Sequence, residues 1–364
     1  MKMHAMKLEK FSGRFHFENE QLTVTQFKGT MGQSSFAADL QVDLKTIDQG
    51  TAHRNKLKIT APHLNFDELF AWEAPAATAS DSIDHDAVFS VFDMPFPNLD
   101  IDVSIGKMNY HKYLLTNLDG KLRTTRDHML YIDDLDLDIA GGHINVQGYF
   151  SGQDRTKIYL NPKLTFRNLD IDQLLIKFDN FGQDAIVAEN LHGLISGVMT
   201  GKIHVHADLV PIIDDSEIHL DLEVVKGRLD NYEPMLALAE YFQDKNLNRV
   251  AFDTLSNHID ITNGLMSIPN MQINSSLGFI ELSGTQDMDM NMDYIIRVPV
   301  KLITKAGSQK LFGSKTKSDG EAEDEIQYAE EGKRTRFVNV RMVGNLDDFK
   351  ISLVGKKKAL ATAK

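Results

Sequence analysis

Three runs of this sequence carry residue types able to hold a metal or move a proton. Asp287-Met-Asp-Met-Asn-Met-Asp293 spaces side-chain oxygens like the opening of an EF-hand loop. Such a loop needs glycine at its sixth place and a bidentate glutamate at its twelfth. Those places hold Met292 and Val298, so the run reads as a strand that is wet on one side and apolar on the other. His204, His206 and Asp208 recur at period two, which puts them on one strand face, close enough to share a metal. The remaining ligands of a zinc site are not supplied by any neighbouring spacing, and the run reads as a solvated strand face. Asp134, Asp136 and Asp138, in Asp133-Asp134-Leu-Asp-Leu-Asp138, also share a face. Paired carboxylates perform acid–base chemistry when they flank a cleft; a row along one strand is a solvated row. There is no Gly-x-Ser-x-Gly, phosphate loop or dinucleotide fingerprint. The absence of cysteine excludes thiolate catalysis, Cys-ligated zinc and disulfides. The sequence therefore assigns no catalytic residue, no metal and no cofactor.

The elements that carry these residues are strands in a repeated unit. Residues 118–148 and 255–284 each read as strand, turn, strand, and both end in Gly-x-Ile-x-(Val/Leu)-x-Gly: Gly142, Ile144, Val146, Gly148 against Gly278, Ile280, Leu282, Gly284. A looser copy opens the chain, with Ser34, Phe36, Ala38 and Leu40 at those places. Leu64-Asn-Phe-Asp-Glu-Leu-Phe70 is echoed by Leu169-Asp-Ile-Asp-Gln-Leu-Leu175. Tandem strand units stack into a sheet and argue against a single closed active-site domain. Period-two alternation recurs at Phe36–Leu44, Leu99–Ile105, Leu135–Ile139, Ile203–Leu209 and Ile218–Val224, with one dry and one wet face, the mark of antiparallel sheet. Turn signals stand at Asn19-Glu20, Asp119-Gly120, Gly141-Gly142, Ser151-Gly152 and Asn263-Gly264. Helices are expected at Glu233–Lys245, with a Met235/Leu238/Phe242 stripe, and in short pieces at Asp67–Ala71 and Ile171–Phe178. Residues 73–86 read as a loop, and 305–336, charged and poor in apolar residues, as a mobile insertion between strands.

The net charge of −13 argues against a nucleic-acid partner. No apolar run of the 364 residues is long enough for a signal peptide or a transmembrane helix. The first strand pattern begins near Phe11 without the cap that a repeat body needs. The chain is therefore expected to be a fragment of something longer at its N-terminus.

The last 150 or so residues resemble the C-terminal region of AsmA-like proteins. The resemblance runs through Glu233–Lys245, Ala251-Phe-Asp-Thr-Leu255, Ile259-Asp-Ile-Thr-Asn-Gly264, Ile280-Glu-Leu-Ser-Gly284, Met288–Val300 and Val343-Gly-Asn-Leu-Asp-Asp-Phe-Lys350. Residues 1–200 then stand for degenerate upstream β-repeats and 201–364 for the AsmA-like C-terminal region. The resemblance implies an envelope protein of diderm bacteria, related to TamB, periplasmic and anchored to the inner membrane in its full length. It also implies a long β-groove that moves phospholipid toward the outer membrane. The expected fold is mainly β: an elongated, twisted antiparallel sheet of tandem repeats curled into a groove, with a few short helices. The groove-facing, lipid-binding set is Met288, Met290, Met292, Tyr294, Ile296 and Val298 on one stripe, with Ile280, Leu282, Ile144 and Val146. Methionine, of which there are 15, suits surfaces that hold varied apolar ligands. Phospholipid and a membrane are the expected partners. Two other readings stay open: a structural or scaffolding envelope protein whose same face is a closed core, and a glycan-active β-solenoid enzyme, which needs a carboxylate cleft.

Overall fold

Alternating apolar and polar residues become strand along most of the chain. A computed structural model describes residues 8–44, 55–66, 68, 90–93, 96–110, 113–177, 190–232, 236, 247–300, 336–345 and 348–355. The protein is mainly β: seventeen strands and one short α-helix make up its regular structure among these residues, besides a 3-10 turn at Val91–Asp93. None of the described helices is long and apolar enough to cross a membrane. The chain divides into two compact units, residues 1–166 with 200–216 and residues 167–199 with 217–364.

The first unit contains β1 (Leu8–Glu18), β2 (Gln21–Met31), β3 (Ser34–Asp43), β4 (Lys56–Asn65), β5 (Leu99–Tyr110), β6 (Tyr113–Thr125), β7 (Met129–Ile139) and β8 (Gly142–Ser151). Each pairs with the next, antiparallel except β4 with β5, which run parallel. Parallel neighbours need a crossover of a dozen residues or more, and the connection through residues 66–98 supplies it. Tight turns join several hairpins: Asn19 and Glu20, and Ala140 and Gly141, take positive φ at both positions, the twist that two-residue hairpins favour. One expected turn is corrected. Asp119-Gly120 lies inside β6. Gly120 is small there because a Cβ would come within 2.7 Å of Leu135 Cδ1 and 3.1 Å of Val103 Cγ1 on the neighbouring strands.

The chain continues through β9 (Tyr159–Asp170), α1 (Ile171–Lys177), β10 (Leu191–Val205) and β11 (Pro211–Asp230). The helix starts where the sequence places it, with Asp170 as its cap: the Gln173 N–H donates to Asp170 Oδ1 at 2.9 Å. The second unit runs on through β12 (Arg249–Thr262), β13 (Leu265–Ser275), β14 (Gly278–Gln286), β15 (Met292–Pro299), β16 (Phe337–Gly344) and β17 (Phe349–Val354). From β11 to β17 every strand pairs antiparallel with the next. Its core is filled by Leu247, Val250, Leu277, Ile280, Met292, Val298, Val340 and Met342. A neighbouring cluster joins Ile171, Val224, Phe252, Leu255, Ile268 and Met271.

The expected helix at 233–245, but for Leu236, and that at 67–71, but for Glu68, lie outside the described residues, as do the 73–86 loop and the 305–336 insertion up to residue 335. Leu236 packs against the core cluster of the second unit.

Candidate functional site

Cross-strand register gathers the apolar residues of the first unit onto one face. One row runs Val24, Leu40, Leu57, Ile101, Leu122 and Ile132, each directly opposite the next. Beside it runs a second: Phe27, Ala38, Ile59, Val103, Gly120, Leu135 and Val146. Facing residues of a ladder share a side of the sheet, so the two rows form a continuous apolar band. Two irregularities keep it in phase. In β2 the register shifts between Val24 and Phe27 with Gln26 at φ 53°, which returns Phe27 to the face of Val24. In β7 a shift between Ile132 and Leu135 does the same for Leu135.

Apart from Val24 and the side-chain-free Gly120, the band residues are half-buried. The next row outward, Ala61, Ile105 and Leu118, is buried. The band ends on aromatic rings: Phe27 lies 6.4 Å from Phe11, 6.0 Å from Phe15 and 6.1 Å from Phe36, centroid to centroid. Phe11, Phe15 and Phe17 are more than half exposed. A half-buried apolar sheet face with an exposed aromatic end is a candidate contact surface.

The residues predicted from sequence fall in three places. Ile144 and Val146 lie on this face of β8, opposite Leu137 and Leu135, and both are half-buried. Met292, Val298 and Ile280 are buried in the second unit's core, with Tyr294 and Ile296 packed against it. Leu282 packs against the neighbouring cluster around Phe252. The Tyr294 hydroxyl donates to Gln286 Oε1 at 2.5 Å, and burial pushes its pKa up. Met288 and Met290 are not on the stripe. The strand begins at Met292, and residues 287–291 form the turn before it. Asp287 causes this: its Oδ1 accepts the Asn291 backbone N–H at 2.8 Å, the Met290 N–H donates to Asp287 O at 3.1 Å, and Met290 takes φ 64°. An Asp side chain offering such bonds competes with the ladder, so alternation alone overextended the strand. Leu40, Leu57, Ile59, Ile101, Val103 and Leu122 share the first unit's apolar face as well, and the same alternation marks them in sequence.

The opposite face of β6–β8 is polar. Asp138 accepts from Asn117 Nδ2 at 2.7 Å, and His143 lies 2.9 Å from Asp138 and 3.0 Å from Asp136. Asn145 donates to Asp134 and Asp136. The acidic row is thus a cross-strand ladder of amides, imidazole and carboxylates. The hydrogen bond to Asp138 raises the His143 pKa above the usual 6.5; that from Asn117, then that from His143, lowers the Asp138 pKa below 3.8. The pair stabilises the fold most between those two ordinary values. His143 loses its contribution as pH rises through its raised pKa, and Asp138 as pH falls through its lowered one. Both groups are about two-fifths exposed, so solvent screening holds the effect to about 0.5 kcal/mol. His143→Gln is expected to lessen the rise in the urea midpoint expected of the parent on moving from alkaline pH to below the imidazole range; an equal rise in the variant would assign it to other imidazoles.

His204, His206 and Asp208 do not converge. His204 lies on β10 with its ring 5.9 Å from Tyr159, while His206 and Asp208 shape the turn that follows, the Val210 N–H donating to Asp208 Oδ1 at 3.1 Å. No family model, no curated protein and no solved structure matches the chain.

Proposed function

We propose that this chain is a non-enzymatic cell-envelope protein of the AsmA-like kind, periplasmic and anchored to the inner membrane in its full length, that carries phospholipid between inner and outer membrane. The observation behind this reading is the band of half-buried apolar residues from Val24 to Val146 in the first unit. In this reading the sheet curls into a groove. Acyl chains lie along the band while headgroups stay in water at its seam. Each methylene removed from water contributes about 0.8 kcal/mol, so two acyl chains on the band are held firmly without any dedicated polar pocket. Gly148 and Gly284, which close the two clearest copies of the strand unit, share one backbone conformation, at φ 136° and 146°.

A second reading has its own support. The stripe of β15 packs into a protein-filled core, with Met292 at 4% and Val298 at 2% exposure, as a scaffolding protein with a closed core requires. Photo-crosslinking separates the two. Crosslinkers at Ile101 and Val146 are expected to capture phospholipid in cells, whereas one at Asp102, on the wet face of β5, and one at the buried Val298 capture none. Absence of lipid adducts at both Ile101 and Val146 would overturn the transport reading in favour of the scaffold.

A further inference from the structure

Strands β11 and β12 pair so that His219 faces Asp260 and Asp221 faces His258. On β11, Glu217, His219 and Asp221 alternate on one side; on β12, His258 and Asp260 do the same. The five side chains therefore meet on one half-exposed patch of the second unit.

Their geometry is that of an oriented ligand set. Asp260 Oδ1 lies 2.6 Å from His219 Nδ1 and 3.0 Å from His258 Nε2, so a single carboxylate oxygen faces one nitrogen of each ring. The two rings stack 6.4 Å apart with only 12° between their planes. One nitrogen of each ring and a carboxylate oxygen of Asp260 all fall within 4.8 Å of one another. For ligands about 2.0–2.1 Å from a cation, neighbouring donor atoms in a coordination shell stand roughly 3 Å apart, as the two N···O pairs do. The outward nitrogen of each ring has its own carboxylate: His258 Nδ1 lies 2.7 Å from Asp221 Oδ1, and His219 Nε2 lies 3.4 Å from Glu217 Oε1. Carboxylate–imidazole–metal relays are built this way, the outer acid fixing the tautomer and aim of the ligating ring.

We propose that His219 Nδ1, His258 Nε2 and a carboxylate oxygen of Asp260 bind a divalent transition cation of the zinc class, with Asp221 and Glu217 orienting the rings. Two imidazoles and a carboxylate suit zinc and its borderline neighbours better than calcium or magnesium, which take oxygen donors. Exposure on the strand face leaves the remaining coordination positions to water. The cation ties β11 to β12 across their ladder.

The test is calorimetric titration of the full chain with Zn2+ alone at mildly alkaline pH. One saturable site is expected, weakened at least tenfold in His258→Ala, in His219→Ala and in Asp260→Asn, and less severely in Asp221→Asn. His143→Ala, which alters a separate imidazole–carboxylate ladder, leaves it unchanged, and Mg2+ does not compete. These side chains are half-exposed, so the variants are expected to fold, and circular dichroism checks each one. Co2+ gives an independent readout: visible bands from a site of low coordination number in the parent, absent in His258→Ala. Failure of the parent to bind Zn2+, or equal binding by parent and His258→Ala, would reduce the patch to a hydrogen-bonded surface ladder.

Discussion

Val298→Asp is expected to abolish cooperative folding of the second unit. Val298 is 2% exposed and sits in the cluster with Leu247, Val250, Ile280, Val340 and Met342. Its strand is paired on both sides, with β14 and β16, so the backbone cannot turn a new charge toward water without breaking a ladder. Losing the buried valine costs about 1.5 kcal/mol, and an uncompensated buried carboxylate roughly 3–5 kcal/mol more. The sum is comparable to the whole stability of many domains, about 5–15 kcal/mol. Urea unfolding with limited proteolysis of residues 217–364 reads it directly. Leu122→Glu, on the half-buried band of the first unit, is expected to fold and to fail in lipid carriage. An unchanged urea midpoint for Val298→Asp would show the β15 face to be open, returning that stripe to the lipid-facing role its alternation suggests.

The contrast between those two substitutions marks how far the sequence could be read. Period-two alternation located strand at Leu99–Ile105, Leu135–Ile139 and Ile218–Val224, and the Asn-Gly pair at 263–264 sits in the left-handed conformation that the hairpin after β12 uses. Alternation reports that one face is dry. It carries no information about what lies against that face, which is why Val298 and Val146 read alike in sequence while one is buried and the other half-buried. The end of a strand is equally hidden when a side chain closes the turn: Asp287 ends the apparent stripe by bonding Asn291, and Met290 leaves the ladder. The imidazole patch was invisible for a third reason. His219 and His258 are far apart in the chain and meet only through the register of β11 on β12, whereas the spacing that draws attention, His204-x-His206, straddles the end of a strand and a turn.

Gly284→Ala is expected to lower stability by about 3 kcal/mol, for reasons that the repeated glycine at the end of the strand unit already hints at. Gly284 adopts φ 146°, a region open to glycine and strained for any L side chain by about 1–3 kcal/mol. The neighbouring strand leaves no room either: an added Cβ would lie 2.1 Å from Asp293 O and 2.8 Å from the Tyr294 Cα. Those are backbone atoms, so relief requires moving β15 away from β14, and forcing extra atoms into a packed site costs a further 1–3 kcal/mol or so. Gly148 repeats the arrangement in the first unit, at φ 136° and 2.2 Å from Asn161 O, and Gly344 does so at 2.2 Å from Asp348 O. The glycine that recurs in sequence thus recurs as one physical device, a close approach of the next strand that a methyl group blocks. For a unit of this size the loss corresponds to a fall in Tm of roughly 10 °C. Gly355→Ala, where an added Cβ meets nothing within 4 Å, is the matched control and is expected to leave the Tm unchanged. If Gly284→Ala melts with the parent, the approach of β15 to β14 is not fixed at this carbonyl. The shared glycine would then be a coincidence of sequence.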